Sequence, residues 1–242
     1  MQTGIQRRSS PKTFSIVSSY QISSRVLNLS QLRITEIFHS LQGEARSAGL
    51  PTVFVRLTGC PLRCQYCDTE YAFSGGAMMP FDSILESVGS FDCKTICVTG
   101  GEPLAQAACN DLLNVLCDTG FDVSLETSGA MSIEDTPTAV SRVVDIKTPD
   151  SKESHRNLWT NVALLTPNDQ VKFVICSRED YEWARFKLDE YALVSRVSDV
   201  LFSPSHHDIA ASDLADWIVA DRLPVRFQMQ LHKILWNDEP GR

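Results

Sequence analysis

The feature that most constrains the fold is a repeated one. From Ile34 onward, short β-branched runs alternate with helical patterns, and a polar motif follows most of the runs. Residues 52–57 (TVFVRL), 95–99 (TICVT), 122–126 (DVSLE), 142–146 (RVVDI), 171–175 (VKFVI), 199–202 and 225–229 read as strands. Residues 81–88, 104–116, 178–190 and 212–220 read as helices, the second ending near Gly120. Strands spaced by helices imply right-handed crossovers and an α/β fold with a mostly parallel sheet. In such sheets the loops at the C-terminal strand ends converge on one face, and chemistry collects there. The polar motifs fall at those ends: 59–67, 100–103 (GGEP), 127–129, 147–149 and 203–206.

A chain of 242 residues, 43% hydrophobic, can bury a sizeable core and suits one large domain with or without an extension. No apolar run approaches the roughly 18 residues needed to span a bilayer, so a soluble protein without a membrane partner is expected. Residues 1–35 hold Arg7, Arg8, Lys12, Arg25 and Arg33 but no Asp or Glu, while the whole chain has a formal charge of −8. The body is therefore acidic, which argues against nucleic acid as a partner. Residues 1–33 read as a disordered extension, with an over-long start or a basic, Ser-rich transit peptide as the alternatives. Residues 34–242 form the expected folded domain.

Eight cysteines are present, and three of them, Cys60, Cys64 and Cys67, crowd into one C-x3-C-x2-C loop. That clustering suits a metal group better than disulfides. Thiolates are soft anionic ligands for iron–sulfur clusters and for zinc. A structural zinc wants four protein ligands, and no second paired knuckle exists here. Three ligands on a four-iron cluster leave one iron open to a small molecule. Tyr66 sits before the last cysteine, where its ring could pack against an adenine, and Gly59 and Pro61 shape the backbone around the first. Cys93, Cys97, Cys109, Cys117 and Cys176 are spaced as packing residues.

A C-x3-C-x2-C loop with an aromatic residue before its last cysteine, followed by Gly100, Gly101, Glu102 and Pro103, resembles the radical S-adenosylmethionine (SAM) superfamily. The resemblance implies a 4Fe–4S cluster on Cys60, Cys64 and Cys67 whose open iron binds SAM. It also implies reductive SAM cleavage to methionine and a 5′-deoxyadenosyl radical that takes hydrogen from substrate. Gly100, Gly101 and Glu102 are expected to bring backbone close to the SAM ammonium group, because a missing Cβ permits close approach. Residues 152–165 read as an irregular connection, so the expected form is a partial (β/α) barrel of the radical SAM type with fewer crossover helices.

Across residues 34–236 further motifs resemble the 7-carboxy-7-deazaguanine synthase family, lyases of queuosine and 7-deazapurine biosynthesis. The substrate would be 6-carboxy-5,6,7,8-tetrahydropterin, contracted by radical rearrangement with loss of ammonia. The resemblance assigns substrate contacts to Leu41, Gln42, Gly43, Glu44, Arg56, Thr99, His232 and Lys233. SAM contacts fall on Tyr66, Gly101, Glu102, Glu126, Ser128, Asp145, Ile146, Lys147, Ser203, Pro204, Ser205 and His206. Thr69 would supply a hydroxyl to Mg²⁺, a hard ion that prefers oxygen. Arg56 could meet the substrate carboxylate bidentately, and Lys233 could add charge. The family pattern further implies a cytoplasmic homodimer and an electron donor such as flavodoxin or ferredoxin. This chain departs from that pattern in three places. Ala45 stands where Gly is usual, Asp145–Ile146–Lys147 replaces a Ser-Pro-Lys version, and residues 236–242 run past the usual end. Two rival readings stay open: an enzyme that installs a glycyl radical on a partner protein, and a non-catalytic cluster or zinc protein. The first has no need of the Gln-Gly-Glu segment or of the C-terminal Gln-Leu-His-Lys.

Overall fold

The computed structural model describes residues 30–206, 208–237, 239 and 241. The N-terminal extension therefore lies outside the described residues except for its last few positions. Strand β1 (Gln31–Leu41) begins inside the segment read as extension, and Leu32 is buried in the core. The chain continues through β2 (Pro51–Leu57), β3 (Ala77–Pro80), α1 (Phe81–Gly89), β4 (Thr95–Gly100) and α2 (Cys109–Asp118). Then come β5 (Asp122–Thr127), β6 (Ser141–Asp145), β7 (Gln170–Ile175), α3 (Arg178–Glu190) and β8 (Asp199–Pro204). Helix α4 (Ala211–Ala220), the two-residue β9 (Arg226–Phe227) and α5 (Leu231–Trp236) complete it.

Among the described residues these strands form one sheet in the order β3-β1-β2-β4-β5-β6-β7-β8-β9. From β2 to β9 every pairing is parallel, while β1 pairs antiparallel with both β2 and β3. The edge strands β3 and β9 do not meet, so the sheet stays an open, partial barrel. The crossovers are reduced as expected: β5 reaches β6 without a helix, and β6 reaches β7 through 3₁₀ turns at Pro149–Ser151, Ser154–Arg156 and Trp159–Leu164. One expected helix is shorter than its pattern. Residues 103–105 form a 3₁₀ turn, and α2 starts only at Cys109, because the Glu102 side chain caps the Leu104 N–H first.

Strand side chains alternate between faces, and here the faces have different tasks. Val53, Val55, Leu57, Ile96, Val98, Val123 and Leu125 pack with α1 and α2, while Val144, Val171, Phe173, Ile175, Val200 and Phe202 pack with α3 and α4. Their neighbours in sequence point the other way. Phe54, Arg56, Thr99, Glu126, Val143, Asp145, Lys172 and Val174 line a cavity on the inner face. Of the five remaining cysteines, Cys97, Cys109 and Cys176 are buried, and Cys93 and Cys117 pack against the first core cluster.

The lower rim of the sheet is fastened by one buried ion pair. Arg142 on β6 donates from Nε and Nη2 to the Asp169 carboxylate at 2.8 and 2.5 Å, and also to the Ile133 and Leu164 carbonyls. Asp169 further accepts the Thr166 N–H and hydroxyl at 2.7 and 2.9 Å. Removing one member of such a pair leaves a buried charge uncompensated. Asp169→Ala is expected to lower unfolding free energy by about 3–5 kcal/mol in denaturant titration, and a loss under about 1 kcal/mol would contradict this reading of the pair.

Candidate active site

The inner face and the loops above it enclose a cavity of 640 Å³. Cys60, Cys64 and Cys67 all line it, on a loop tied down from several sides. Glu102 N–H donates to the Gly59 carbonyl at 2.8 Å and Gly101 N–H to Leu57 at 3.2 Å. Gln65 N–H reaches the Ser151 carbonyl at 3.1 Å, and Arg63 N–H reaches the Glu153 carboxylate at 2.7 Å. The Arg63 side chain donates to the Cys60 carbonyl at 2.8 Å and stacks over Phe73 at 4.2 Å. Burial raises the thiol pKa at all three cysteines, that of Cys64 to about 11, although Lys147 pulls each of them down. A ligating metal group is what such thiols need to ionise. Among the described residues no three His, Cys, Asp or Glu side chains converge on a single ion. A cluster differs in using one thiolate per iron, so its ligands stand apart.

Gly100 and Gly101 line the cavity and also admit the cysteine loop against β4. A Cβ at Gly101 would lie 2.5 Å from the Gly59 carbonyl oxygen and 2.6 Å from Cys60 Cβ, and one at Gly100 would lie 2.4 Å from the Leu57 carbonyl oxygen. These glycines let β4 press against the cysteine loop itself. Glu102 is fully buried and does not line the cavity. Its carboxylate accepts from the Thr127 hydroxyl, the Ser128 N–H at 2.7 Å and the Ser128 hydroxyl, clamping the loop after β4 to the loop after β5.

Ile146, Ser203 and Pro204 are likewise buried and do not line the cavity; Ile146 packs in the second core cluster, and the Ser203 hydroxyl is buried with no hydrogen-bond partner among the described residues. Tyr66, Gly101, Glu126, Ser128, Asp145, Lys147, Ser205 and His206 do line the cavity, and His207 lies outside the described residues. Tyr66 packs its ring 5.7 Å from the Lys147 ammonium. The Tyr66 hydroxyl and Asp145 Oδ1 are buried with no protein partner among the described residues. Lys147 is held by its 3.0 Å pair with Asp145 and by Asn157, which exchanges two hydrogen bonds with its backbone. Burial would raise the Asp145 pKa, but Lys147 and Lys172 outweigh it and keep the carboxylate ionised.

At the other end of the cavity two distant segments meet. Gln42, Gly43 and Glu44 follow β1, and Gln230, His232 and Lys233 belong to the approach and first turn of α5; all six line the cavity. Leu231 N–H donates to the Gly43 carbonyl at 3.0 Å, and a Cβ on Gly43 would lie 2.2 Å from His232 Nδ1. Glu44 accepts from Gln230 Nε2 at 2.7 Å and pairs with Lys172 at 2.5 Å. Gln42 donates to Glu126 at 3.3 Å, which places Glu126 with this set. Burial and then the Glu44 carboxylate raise the Glu126 pKa, against Lys172 and Arg56. Arg56 pairs through Nε with Glu36 at 2.8 Å, and the Tyr71 hydroxyl donates to the same oxygen at 2.8 Å. Leu41 and Thr99 complete the wall, and burial lowers the His232 pKa toward the neutral imidazole. Thr69 donates to Asp68 at 2.7 Å, whose other oxygen pairs with Lys233 at 3.0 Å.

Ala45, where the family pattern has Gly, adopts φ +63° and so keeps the left-handed turn despite its side chain. Its N–H donates to Gln228 at 3.1 Å, and its methyl packs with Val143 and Leu201. Sequence reasoning missed Lys172 and Asn157 as members of this wall or its support. The one available signal was Lys172, a lysine in the middle of an otherwise apolar strand.

Comparison with known proteins then places the chain. The Radical SAM superfamily profile matches residues 54–185. A 7-carboxy-7-deazaguanine synthase from Koribacter versatilis is 40% identical over 222 residues, covering 86% of this chain and 98% of its own. The chain belongs to the 7-carboxy-7-deazaguanine synthase family. A second member of that family, from Chlorobaculum tepidum, is 41% identical over 211 residues, with 86% of this chain and 96% of that one covered. The solved structure of QueE from Escherichia coli superposes with a TM-score of 0.67 at 22% identity, covering 86% of this chain and 97% of that one. Streptococcus suis SuiB bound to S-adenosylmethionine shares the fold over 71% of this chain and 45% of its own, with a TM-score of 0.50 at 15% identity.

In this synthase-family chain the glycine pair carries a direct test. Gly101→Ala is expected to lower iron uptake on anaerobic reconstitution together with SAM affinity, since the added Cβ displaces the cysteine loop. Full iron content with weakened SAM binding would return Gly101 to a purely ligand-facing role.

Proposed function

We propose that this protein is a 7-carboxy-7-deazaguanine synthase, converting 6-carboxy-5,6,7,8-tetrahydropterin to 7-carboxy-7-deazaguanine by radical ring contraction with loss of ammonia. One observation carries the reading beyond family membership. A single cavity has the three-cysteine loop at one end and a matched set of carboxylates, amides and an arginine at the other. A glycyl-radical-installing enzyme would need an opening for a protein partner instead of this inward-facing polar set.

The residues fit the groups the family uses. Cys60, Cys64 and Cys67 would hold a 4Fe–4S cluster. Tyr66, Ser128, Asp145, Lys147, Ser205 and His206 would hold SAM, whose cation and carboxylate find Asp145 and Lys147 ready. The buried, unpartnered Tyr66 hydroxyl and Asp145 Oδ1 are the kind of polar atoms that a bound ligand satisfies. With both groups bound, the cofactor supplies a hydrogen-abstracting radical, and the protein supplies position and electrostatics.

On the substrate side, Gln42, Glu44 and Glu126 offer acceptors to the amino-pyrimidinone edge. Arg56 lines the cavity with its Nε committed to Glu36, which leaves its two terminal nitrogens without a hydrogen bond among the described residues. Those nitrogens suit the substrate carboxylate. His232 sits against Gly43 as a neutral group that can donate or accept. Asp68 and the Thr69 hydroxyl form an oxygen pair suited to Mg²⁺. Burial would raise the Asp68 pKa, but Lys233 and the Thr69 hydroxyl hold it well below the usual carboxylate range. Substrate oxygens and water would complete an octahedron there. We place the enzyme in the cytoplasm as a homodimer, reduced by a flavodoxin- or ferredoxin-type donor, in the reading the family implies.

Anaerobic turnover with dithionite, SAM and carboxytetrahydropterin, followed by mass spectrometry, tests the proposal. Pterin-dependent formation of 7-carboxy-7-deazaguanine and ammonia is expected; SAM cleavage indifferent to the pterin would refute it. Arg56→Lys should raise the pterin KM by an amount worth about 1–3 kcal/mol, since an ammonium cannot reproduce two parallel N–H bonds. Thr69→Val should lower turnover more than SAM affinity and blunt the response to added Mg²⁺. A chelated wild-type enzyme that turns over at full rate would remove the magnesium role.

A further inference from the structure

Lys172 occupies a position that the strand pattern would fill with an apolar residue. It is 8% exposed, between Val171 and Phe173, both fully buried in the core on the opposite face. Burying an ammonium group is costly unless it is paired. Here it is paired twice, with Glu44 at 2.5 Å and with Asp145 at 3.5 Å. The two partners do not depend on it equally. Asp145 has a nearer cation, Lys147 at 3.0 Å, whereas Lys172 is the one ion-pair partner of Glu44 among the described residues.

Glu44 needs that partner. Glu126 faces it from β5, and Gln42 ties the Glu126 carboxylate to the Glu44 backbone: it donates to Glu126 while its own oxygen accepts the Glu44 N–H at 3.2 Å. Asp145 from β6 adds negative charge to the same wall; Arg56 from β2 and His232 from α5 stand across it. Of Glu44's two oxygens, one accepts from Gln230 and the other from Lys172. A carboxylate has about four acceptor sites, so each oxygen keeps one for a further donor. Two adjacent acceptors of fixed orientation match a cyclic amidine edge, which presents a ring N–H and an exocyclic N–H side by side.

We propose that Lys172 is a positioning residue for the substrate: it holds the Glu44 carboxylate in the orientation that accepts the paired N–H groups of the pterin edge. The role deepens the pterin reading above and rests on it. Lys172 acts through Glu44 on substrate, and Lys147 acts on the cofactor side through Asp145. Burial works against the Lys172 charge, yet Glu44 and Asp145 outweigh it and raise its pKa, so it stays an ammonium across the working range.

The test separates the two ends of the cavity. Reconstituted wild type, Lys172→Met, Lys172→Arg, Glu44→Gln and the double variant Glu44→Gln/Lys172→Met are titrated anaerobically with carboxytetrahydropterin and, separately, with SAM. Lys172→Met is expected to weaken pterin binding about ten- to hundredfold, the scale of a charge-assisted hydrogen bond, and to leave SAM affinity within about threefold. Lys172→Arg, which keeps the charge and guards against loss of folding, should give an intermediate pterin loss at an unchanged melting temperature. The double variant should bind pterin no worse than the weaker single one, because both changes remove the same interaction. Additive losses, equal losses for both ligands, or unchanged pterin affinity in the Met and Arg variants would each overturn the role. Wild type that binds SAM but no pterin would instead remove the substrate reading, and this role with it.

Discussion

The structure depends on one constraint: each inner strand has only two faces, and the fold gives them opposite work. One face is apolar and sealed by helices, and the other carries Arg56, Glu126, Asp145 and Lys172 into a cavity. The open sheet makes this possible. A closed small barrel fills its interior with side chains, whereas a sheet whose edges do not meet leaves the concave side free. Charges can stand there because they come in compensating order, from Glu44 to Lys172 to Asp145 to Lys147.

A second dependence runs through the glycines. Gly100 and Gly101 let the end of β4 touch the cysteine loop, and Glu102 then binds the following loop through Thr127 and Ser128. The cysteines are therefore positioned by backbone packing. Gly43 does the same at the far end, where it admits His232 and joins the end of β1 to the start of α5.

Much of this was legible in the sequence, for reasons that differ by element. Helix α3 and the strands of the parallel sheet announce themselves through periodicity and β-branched runs, and the cysteine loop through spacing. Strands β1 and β3 were less visible because they add antiparallel pairs at the sheet's edge, and α5 because six residues are too few for a periodic signal. Site residues at strand ends were easier to find than those within strands. Lys172 looks like one polar letter in an apolar run until its register shows that it faces the cavity. Glu102 poses a different difficulty: a charged residue in a motif suggests a ligand, while a buried carboxylate with several local donors acts as a clamp. Sequence spacing does not reveal which of these a carboxylate will be.

The central claim is that one cavity holds the reacting carbon of a pterin within reach of the cofactor above Cys60, Cys64 and Cys67. Isotope transfer tests it most directly. Carboxytetrahydropterin deuterated at C6 is turned over anaerobically, and the 5′-deoxyadenosine released is weighed by mass spectrometry. The account predicts one deuterium in the deoxyadenosine. SAM cleavage that proceeds with unlabelled deoxyadenosine, the deuterium staying in the pterin, would contradict it.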